Sequence, residues 1–241
     1  MVINVHAGHN PDGKVACGAV GIIRESTEAR NVKNEVIRQL KAIGHTVYDC
    51  TCENGLNANN VLCNIVGNCN SHAVDLDVSI HFNAGAKDNA GNGATTGVEA
   101  YIYSDTSKAK TYAEKVVNVI AKLGFKNRGV KINKKLYFLN HTKAAAMLIE
   151  CCFVDDKDDV ALYDYKSMAD AIVYGITGKY YEETINISVD SEAGASGAET
   201  ATGDATAIYR VQVGAYRNKD NAVALQAKLK AAGFDVAIVK A

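Results

Sequence analysis

Residues 32–50, VKNEVIRQLKAIGHTVYDC, carry the pattern that decides the fold class. The first half predicts a helix that ends at Gly44, as helices often do, because its apolar residues recur at helical spacing: Val32, Val36, Ile37, Leu40 and Ile43. The second half, residues 46–50, predicts a strand. A helix followed at once by a strand is the repeating unit of α/β proteins.

The same alternation continues along most of the chain. Further strands are predicted at residues 2–5, 74–80, 98–103 and 145–150, and further helices at residues 108–123 and 168–176. Strands that alternate with helices in this way form mostly parallel sheets. We therefore predict an α/β fold with a mostly parallel, twisted sheet that is flanked by helices on both faces.

Length and composition narrow the class of protein. The chain has 241 residues, enough for one ordinary domain with a small appendage. With 48% hydrophobic and 22% charged residues it can bury a core, which argues against wholesale disorder. The formal net charge of −1 gives no basic excess, and no apolar run reaches the roughly 18 residues of a membrane-spanning helix. We expect neither nucleic-acid binding nor membrane insertion.

The N-terminus and the cysteines favour a reducing compartment. Residues 1–6 lack a charged region followed by an apolar one, so no secretory signal is predicted and we expect synthesis in the cytoplasm. The seven cysteines, an odd number, are then expected to be reduced thiols. Four of them lie close in sequence but lack the spacing of CxxC zinc ligands, and we expect no zinc site there: Cys50, Cys52, Cys63 and Cys69.

The last quarter of the chain differs in composition. Residues 184–207 are rich in small and polar residues and carry four acidic residues but no Lys or Arg, which is typical of a flexible acidic linker. The tail regains a pattern, with a strand at 209–213, a helix at 218–232 and a strand at 235–239. The sequence therefore predicts a main domain at residues 1–183, the linker, and a small C-terminal βαβ segment at residues 208–241.

Chemically active side chains follow three of the predicted strands. His6 and His9 follow the first strand, His81 follows the strand at residues 74–80, and Glu150 closes the strand at residues 145–150. Because sites in open α/β sheets gather beyond the carboxyl ends of the strands, we expect these side chains to converge. A carboxyl group at the end of a buried strand also tends to have a raised pKa, which suits a general base.

Two histidines and one carboxylate around an open fourth position form the usual set of ligands for catalytic zinc. His81 and a histidine that follows the first strand, His6 or His9, supply the imidazoles in this prediction. The carboxylate is either Glu25 or Glu28, which lie at the start of a helix predicted to begin around residue 26 or 27. The two acids are three residues apart and can share a helix face, so the spacing leaves both open. Acidic residues at a helix start also have a purely structural reason, the helix dipole.

Five segments together resemble the zinc-dependent N-acetylmuramoyl-L-alanine amidases, and look like the catalytic domains of clostridial phage endolysins and sporulation-associated autolysins. They are Gly8-His9, Glu25, SIHFNA at residues 79–84, GVEAY at 97–101 and MLIE at 147–150. The resemblance covers residues 1 to about 180. It implies one Zn²⁺ held by His9, Glu25 and His81, with Glu150 as the catalytic carboxylate. It leaves Glu28 on the helix surface.

The resemblance also implies a function. The expected reaction is hydrolysis of the amide bond between N-acetylmuramic acid and the L-alanine of the peptidoglycan stem peptide, by zinc-activated water with Glu150 as general base. Two alternatives stay open, a zinc carboxypeptidase that acts on stem peptides and a non-catalytic protein that binds the cell wall. Without a signal peptide, the enzyme is expected to reach the wall only after release, by phage lysis or mother-cell lysis.

Ala145-Ala146 stands where the family commonly has Pro-Ala, and two further departures from the family pattern carry polar side chains. His6 stands where the family usually has Asp, and Asp155 lies where an Asn is frequent. Neither change removes a ligand, but the partners that orient metal-bound imidazoles are left open. His6 and Asp155 are each a candidate for that role, against ordinary packing or surface roles.

The remaining polar candidates are predicted to be structural. His45 lies in a turn and His72 before a strand, and His141 is expected in a loop at residues 139–143. His141 and Asn140 can border the cleft, since they precede the strand that ends in Glu150. The glycine-rich residues 85–97 lack the GxxxxGK[ST] spacing of a phosphate-binding loop, so a mobile loop beside the site is predicted.

The tail has a resemblance of its own. YRVQVGAY at residues 209–216 and the segments at residues 222–229 and 233–234 resemble the first half of a SPOR-type peptidoglycan-binding repeat. Six Lys or Arg against two Asp suit contact with a polar or anionic polymer. About 34 residues bury too little surface to fold alone, so we expect the tail to pair with a second copy in a homodimer, or to stay unfolded.

Overall fold

The computed structural model describes residues 1–181, 219–231 and 236–238. The chain divides into two compact units, Met1–Glu183 and Thr184–Ala241. Unit one contains every element named below except the last helix.

A six-stranded sheet forms the centre of the first unit, in the order β2-β1-β3-β6-β4-β5. Every neighbouring pair is parallel except β4 and β6, so the predicted, mostly parallel sheet is confirmed. The strands are β1 Val2–Ala7, β2 Thr46–Asp49, β3 Leu76–Asn83, β4 Val98–Ile102, β5 Asn127–Ile132 and β6 Ala146–Phe153.

Helices cover both faces of the sheet, as predicted. They are α1 Glu25–Ala42, α2 Ala58–Asn70, α3 Lys110–Ala121, α4 Tyr137–His141, α5 Lys157–Leu162 and α6 Tyr165–Thr177. The apolar faces of α1, α3 and α6 pack on one side of the sheet in the larger core, with residues such as Val36, Val116 and Ile172. A smaller core on the other side contains Val61 of α2 and Phe138 of α4.

The alternation of side chains along each strand explains why the two sides differ. In β1, Ile3 and Val5 enter the larger core. Asn4 points the other way, and its Nδ2 donates to Asp77 Oδ1 at 2.7 Å and to the Cys69 carbonyl oxygen at 2.9 Å. The side that α2 and α4 cover is therefore polar in part, and it is the side that carries the chemistry described below.

Three strands continue further than predicted, and this corrects the expected places of three candidate residues. β1 continues to Ala7 and β3 to Asn83, so His6 and His81 lie within strands and not after them. β6 continues to Phe153, so Glu150 is not the last residue of its strand. The pairing explains the difference, because β3 and β6 are in register through His81 and Glu150 and pair again at Asn83 and Phe153. Hydrogen bonding between β3 and β6 thus extends these two strands beyond their apolar segments.

Four elements were not predicted, namely α2, β5, α4 and α5. One explicit prediction is wrong as a result, because His141 is the last residue of α4 and does not lie in a loop.

Most of the cysteines pack in the two cores. All seven are free, and five are buried. Cys50 and Cys69 pack in the smaller core, whereas Cys151 and Cys152 pack in the larger one. Among the described residues no cysteine belongs to a group of three or more potential metal ligands.

In the second unit, the predicted helix at residues 218–232 is confirmed as α7, Lys219–Ala231. The predicted linker and the strand at 209–213 lie outside the described residues. Of the strand predicted at 235–239, residues 236–238 are described, and they are not in a strand. None of the helices in the described ranges is long and apolar enough to cross a membrane.

Candidate metal centre

His9, Glu25 and His81 meet beside the carboxyl ends of β1 and β3. Glu25 Oε1 lies 3.3 Å from His9 Nε2 and 2.9 Å from His81 Nδ1. One potential ligand atom from each residue lies within 4.8 Å of the other two. The two imidazole rings stand edge to face, with their centroids 4.9 Å apart. The structure thus brings together all three residues that the family resemblance implies as ligands.

Three separate segments deliver these side chains. His9 comes two residues after β1 and has a positive φ of 64°, in the left-handed region. Arg30 of α1 fixes this turn, since its Nη2 donates to the His9 carbonyl oxygen at 3.1 Å. Glu25 is the first residue of α1, and His81 lies in β3. The site therefore forms only when the sheet and α1 have packed together.

Two glycines provide the space that the ligands occupy. A Cβ atom at Gly8 would lie 2.0 Å from Cε1 and 2.3 Å from Nε2 of His81, so a larger residue would displace that ring. Gly18 has a φ of +81°, and a Cβ atom there would lie 2.5 Å from Glu25 Oε2 and 2.8 Å from His9 Cδ2. Sequence reasoning missed both roles. The only signal was the position of Gly8 directly before His9.

Backbone amides hold the Glu25 carboxylate in place. The Ala19 N–H donates to Oε2 at 2.7 Å, and the Phe82 N–H donates to Oε1 at 3.2 Å. Burial raises the pKa of Glu25, but hydrogen bonds from His81 and His9 outweigh it and hold the pKa below its ordinary value. The group is therefore an ionised, fixed oxygen donor.

Glu28, the alternative carboxylate, is not brought to the histidines. Its Oε2 accepts from the Tyr163 hydroxyl and from Asn31 Nδ2, each at 3.0 Å. The structure thus distinguishes the two acids that the spacing had left open. Glu25 contacts both histidines, whereas Glu28 hydrogen-bonds to the Tyr163 hydroxyl.

Glu150 lies on the neighbouring strand, in register with His81. Its Oε2 atom is buried and has no hydrogen-bond partner among the residues that the structure describes. Burial raises the pKa of Glu150 to about 8, and the negative charges of Glu25 and Glu99 add to the effect. The carboxyl group therefore has the proton affinity of a group that can exchange a proton near neutral pH.

Glu99 is a buried carboxylate whose surroundings the sequence did not predict. It lies on β4 directly opposite Glu150 and is 1% exposed. Its side chain accepts four hydrogen bonds, from Arg128 Nε at 2.6 Å, the Tyr101 hydroxyl at 2.6 Å, Asn83 Nδ2 at 3.0 Å and Lys131 Nζ. Burial raises its pKa, but bonds from Arg128, Lys131 and Tyr101 outweigh burial and bring the pKa to about 2. Five Lys or Arg without an acidic residue at 126–135 were the only signal.

The two candidates for orienting the imidazoles have other partners. His6 is buried with its ring edge against Phe138, and its Nδ1 lies 3.3 Å from the Ala7 carbonyl oxygen. Burial lowers the pKa of His6 to about 3, so the ring is neutral. The Asp155 carboxylate accepts the N–H groups of residues 85–87. Within the described ranges, neither side chain hydrogen-bonds to His9 or His81.

The other histidines lie in structural contacts. His45 Nδ1 is 3.1 Å from the N-terminal amine, His72 stacks on Tyr48, and His141 stacks on Tyr137. None of them belongs to a group of potential ligands in the described part of the chain. Asn140 lines a cleft of about 350 Å³ beside the start of β6, and none of the three ligands is among the residues that line it.

The glycine-rich segment at residues 85–97 starts four residues after His81. Its backbone N–H groups donate to the carboxylates of Asp155, Asp156, Asp158 and Asp159, which anchor it along its length. The segment contains no helix and no extended strand, as expected for the predicted loop, and its mobility stays a prediction. Asp88, Asp156 and Asp158 also lie close enough to form a group of potential metal ligands, and hydrogen bonds to the loop already engage all three.

Comparison with known proteins agrees with this geometry. The family described as N-acetylmuramoyl-L-alanine amidase matches residues 3–178, nearly the whole first unit. The chain belongs to this family. The SPOR domain family matches residues 196–241, starting within the segment predicted as a linker.

Individual relatives are similar over the same region. The chain is 38% identical over 187 residues to an uncharacterized protein of Clostridium perfringens (strain 13 / Type A), covering 77% of this chain and 52% of that protein. It is 28% identical over 168 residues to the sporulation-specific N-acetylmuramoyl-L-alanine amidase of Bacillus subtilis (strain 168), covering 69% of this chain and 57% of that enzyme. The chain thus spans about half the length of these curated relatives.

A solved structure shows the same fold. The catalytic domain of the CD27L endolysin targeting Clostridia Difficile superposes with a TM-score of 0.67 at 27% identity, and the match covers 76% of this chain and 99% of that domain.

Proposed function

We propose that the protein is a zinc-dependent hydrolase that cleaves the amide bond between N-acetylmuramic acid and the L-alanine of the peptidoglycan stem peptide. The observation that carries the proposal is the convergence of His9, Glu25 and His81, with Glu150 on the adjacent strand. Membership of a family described by this activity supports the choice of substrate.

The donor set fits zinc. Two imidazole nitrogens and one carboxylate oxygen are the ligands of many catalytic zinc sites, which keep a fourth position open for water or substrate. Glu25 is ionised and held by two backbone amides, so the site does not have to order this ligand when the ion arrives. Bound there, zinc would polarise the amide carbonyl and lower the pKa of a coordinated water.

Glu150 supplies the proton transfers in this proposal. A carboxylate beside the site would accept a proton from the attacking water and return it to the leaving L-alanine nitrogen. Its buried, unpartnered Oε2 and its raised pKa support this role, because both give the carboxylate a strong affinity for a proton. The positive charge of Lys131 lowers the pKa of Glu150 and so favours the ionised form, which is the form that accepts a proton.

Mass spectrometry of purified peptidoglycan after digestion tests the proposal. We expect free stem peptides with an N-terminal L-alanine and intact glycan strands, abolition by a chelator, and recovery on addition of zinc. Shortened stems would identify a carboxypeptidase instead. No release of any fragment under zinc-loaded conditions would favour the non-catalytic, wall-binding alternative.

We also propose that the tail helps the enzyme to attach to the wall and pairs with a second copy. The match to the SPOR domain family and the exposed apolar side chains of Val223 and Ile238 support this. Light scattering and co-sedimentation with sacculi should show a dimer that binds for the full chain, and a weaker-binding monomer for a chain that ends at Glu183. If the two proteins had the same oligomeric state and bound sacculi equally well, the idea would be contradicted. Action on the wall only after cell lysis stays a prediction.

A further inference from the structure

Polar side chains form a row across four neighbouring strands, β3, β6, β4 and β5. His81 pairs with Glu150, and Glu150 pairs with Glu99 on its other side. Residues directly opposite each other in an antiparallel pair lie on the same face of the sheet. The row continues to β5 because Arg128 and Lys131 both donate to Glu99 Oε2. Two cations therefore lie beside the candidate general base. We call them the cation pair.

The cation pair has unused hydrogen-bonding capacity. Arg128 contacts Glu99 through Nε, whereas its Nη1 and Nη2 atoms make no hydrogen bond to any residue in the described ranges. The Arg128 side chain is 30% exposed and that of Lys131 is 38% exposed, so solvent and ligands reach both. The guanidinium lies over the Phe153 ring, 5.0 Å from its centroid, which limits the directions in which it can point.

β4 and β5 carry one acidic side chain, Glu99, against the two cations. Glu99 is the one carboxylate to which both cations donate, and a single cation suffices to neutralise it. The excess positive charge therefore lies on partly exposed side chains whose shared partner, Glu99, is directly opposite Glu150. The two free NH2 groups of the guanidinium form one edge that matches the two oxygens of a carboxylate, and such paired bonds are among the strongest that side chains make.

We propose that Arg128 and Lys131 bind the free carboxylate on the second residue of the stem peptide, next to the L-alanine. In a γ-linked glutamate this is the α-carboxylate, which some peptidoglycans carry as the neutral carboxamide. The cation pair then selects stems in which this carboxylate is free. This inference rests on the proposed function and adds a substrate preference to it.

The spacing of the row supports the assignment. The cation pair reaches back to Glu99, so its charged atoms lie near β4, one strand spacing of about 4.8 Å from β6. Consecutive Cα atoms of a peptide are about 3.8 Å apart. For a peptide that runs from β6 towards β4, with the leaving nitrogen beside Glu150, the residue after L-alanine comes level with the cation pair.

The test compares two soluble muropeptides that differ only at this group, one with the free α-carboxylate and one with the carboxamide. The full chain loaded with zinc is expected to show a kcat/KM about tenfold to a hundredfold higher on the free carboxylate. Arg128→Gln should lose most of this preference, chiefly through slower cleavage of the carboxylate substrate.

Lys134→Gln is the matched control, because it removes one exposed cation that follows β5 and lies over Tyr103 without contacting Glu99. It should keep the preference, and all variants should keep the melting temperature of the parent within a few degrees. Equal rates of the parent on both substrates would overturn this inference and leave the amidase intact. Cleavage of neither substrate would overturn the proposed function as well. An equal loss on both substrates in Arg128→Gln, or a lost preference in Lys134→Gln, would also count against the cation pair.

Discussion

His81→Ala is expected to purify without stoichiometric zinc and without activity. The ring supplies one of three ligand atoms that lie within 4.8 Å of one another, and two ligands cannot hold the ion as the three do. Since loss of an outer hydrogen-bond partner alone commonly costs about tenfold to a hundredfold in metal affinity, loss of a ligand should exceed that range. Elemental analysis and a competition titration measure the effect, with circular dichroism to check the fold.

Matched variants separate loss of the ion from loss of structure. Gly8→Ala should reproduce the zinc defect without touching a ligand, because the new methyl group would displace the His81 ring. Gly67→Ala, in an exposed position of α2 with no atom within 4 Å of the new Cβ, should bind zinc normally. Glu25→Ala should lose zinc and Glu28→Ala should keep it. Full zinc content in His81→Ala would refute the ligand assignment.

Glu150→Gln is expected to keep zinc and lose turnover by about a hundredfold to ten-thousandfold, the range for removal of a general base. The amide has nearly the same shape as the carboxylate but cannot accept the proton, so the loss should fall on kcat more than on KM. Steady-state kinetics on a soluble muropeptide, together with zinc content, test both parts.

Glu28→Gln serves as the control, because Glu28 also hydrogen-bonds across elements but lies away from the metal ligands. It should retain most of the parent rate. If Glu150→Gln retained most of its rate with zinc in place, the base would have to be another group, and Glu99 would be the first to examine, since it is the carboxylate directly opposite on β4.

Sequence patterns predicted the elements whose apolar residues are regular and missed those whose burial is incomplete. The stripe of α1 is continuous, and the helix was placed almost to the residue. Strand β5 is an edge strand in which none of the six residues is buried, so it lacks the apolar alternation that identifies strands. Helix α2 is rich in Asn and Cys, which are weak helix formers, although Val61, Ile65 and Cys69 recur at helical spacing.

The candidate site shows the same division. The residues His9, His81 and Glu150 were found because polar groups next to apolar strands are conspicuous. Glu25 was separated from Glu28 only by the family resemblance, and the structure shows the contacts that distinguish them. Glu99, Arg128 and Lys131 come together through the antiparallel placement of β4 between β6 and β5, and no local pattern encodes that order of strands.

The row across the sheet has a consequence for how this domain tolerates changes in its sequence. Its members lie on adjacent strands, so the backbone ladder sets the intervals between them, and side-chain packing has little influence on those intervals. Insertions or deletions in the loops leave the intervals unaltered. A shift of β4 by a single residue would instead turn Glu99 to the opposite face and separate the cations from the cleft. The loops of this domain can therefore diverge freely, while the alignment of β4 against β6 cannot drift by even one position.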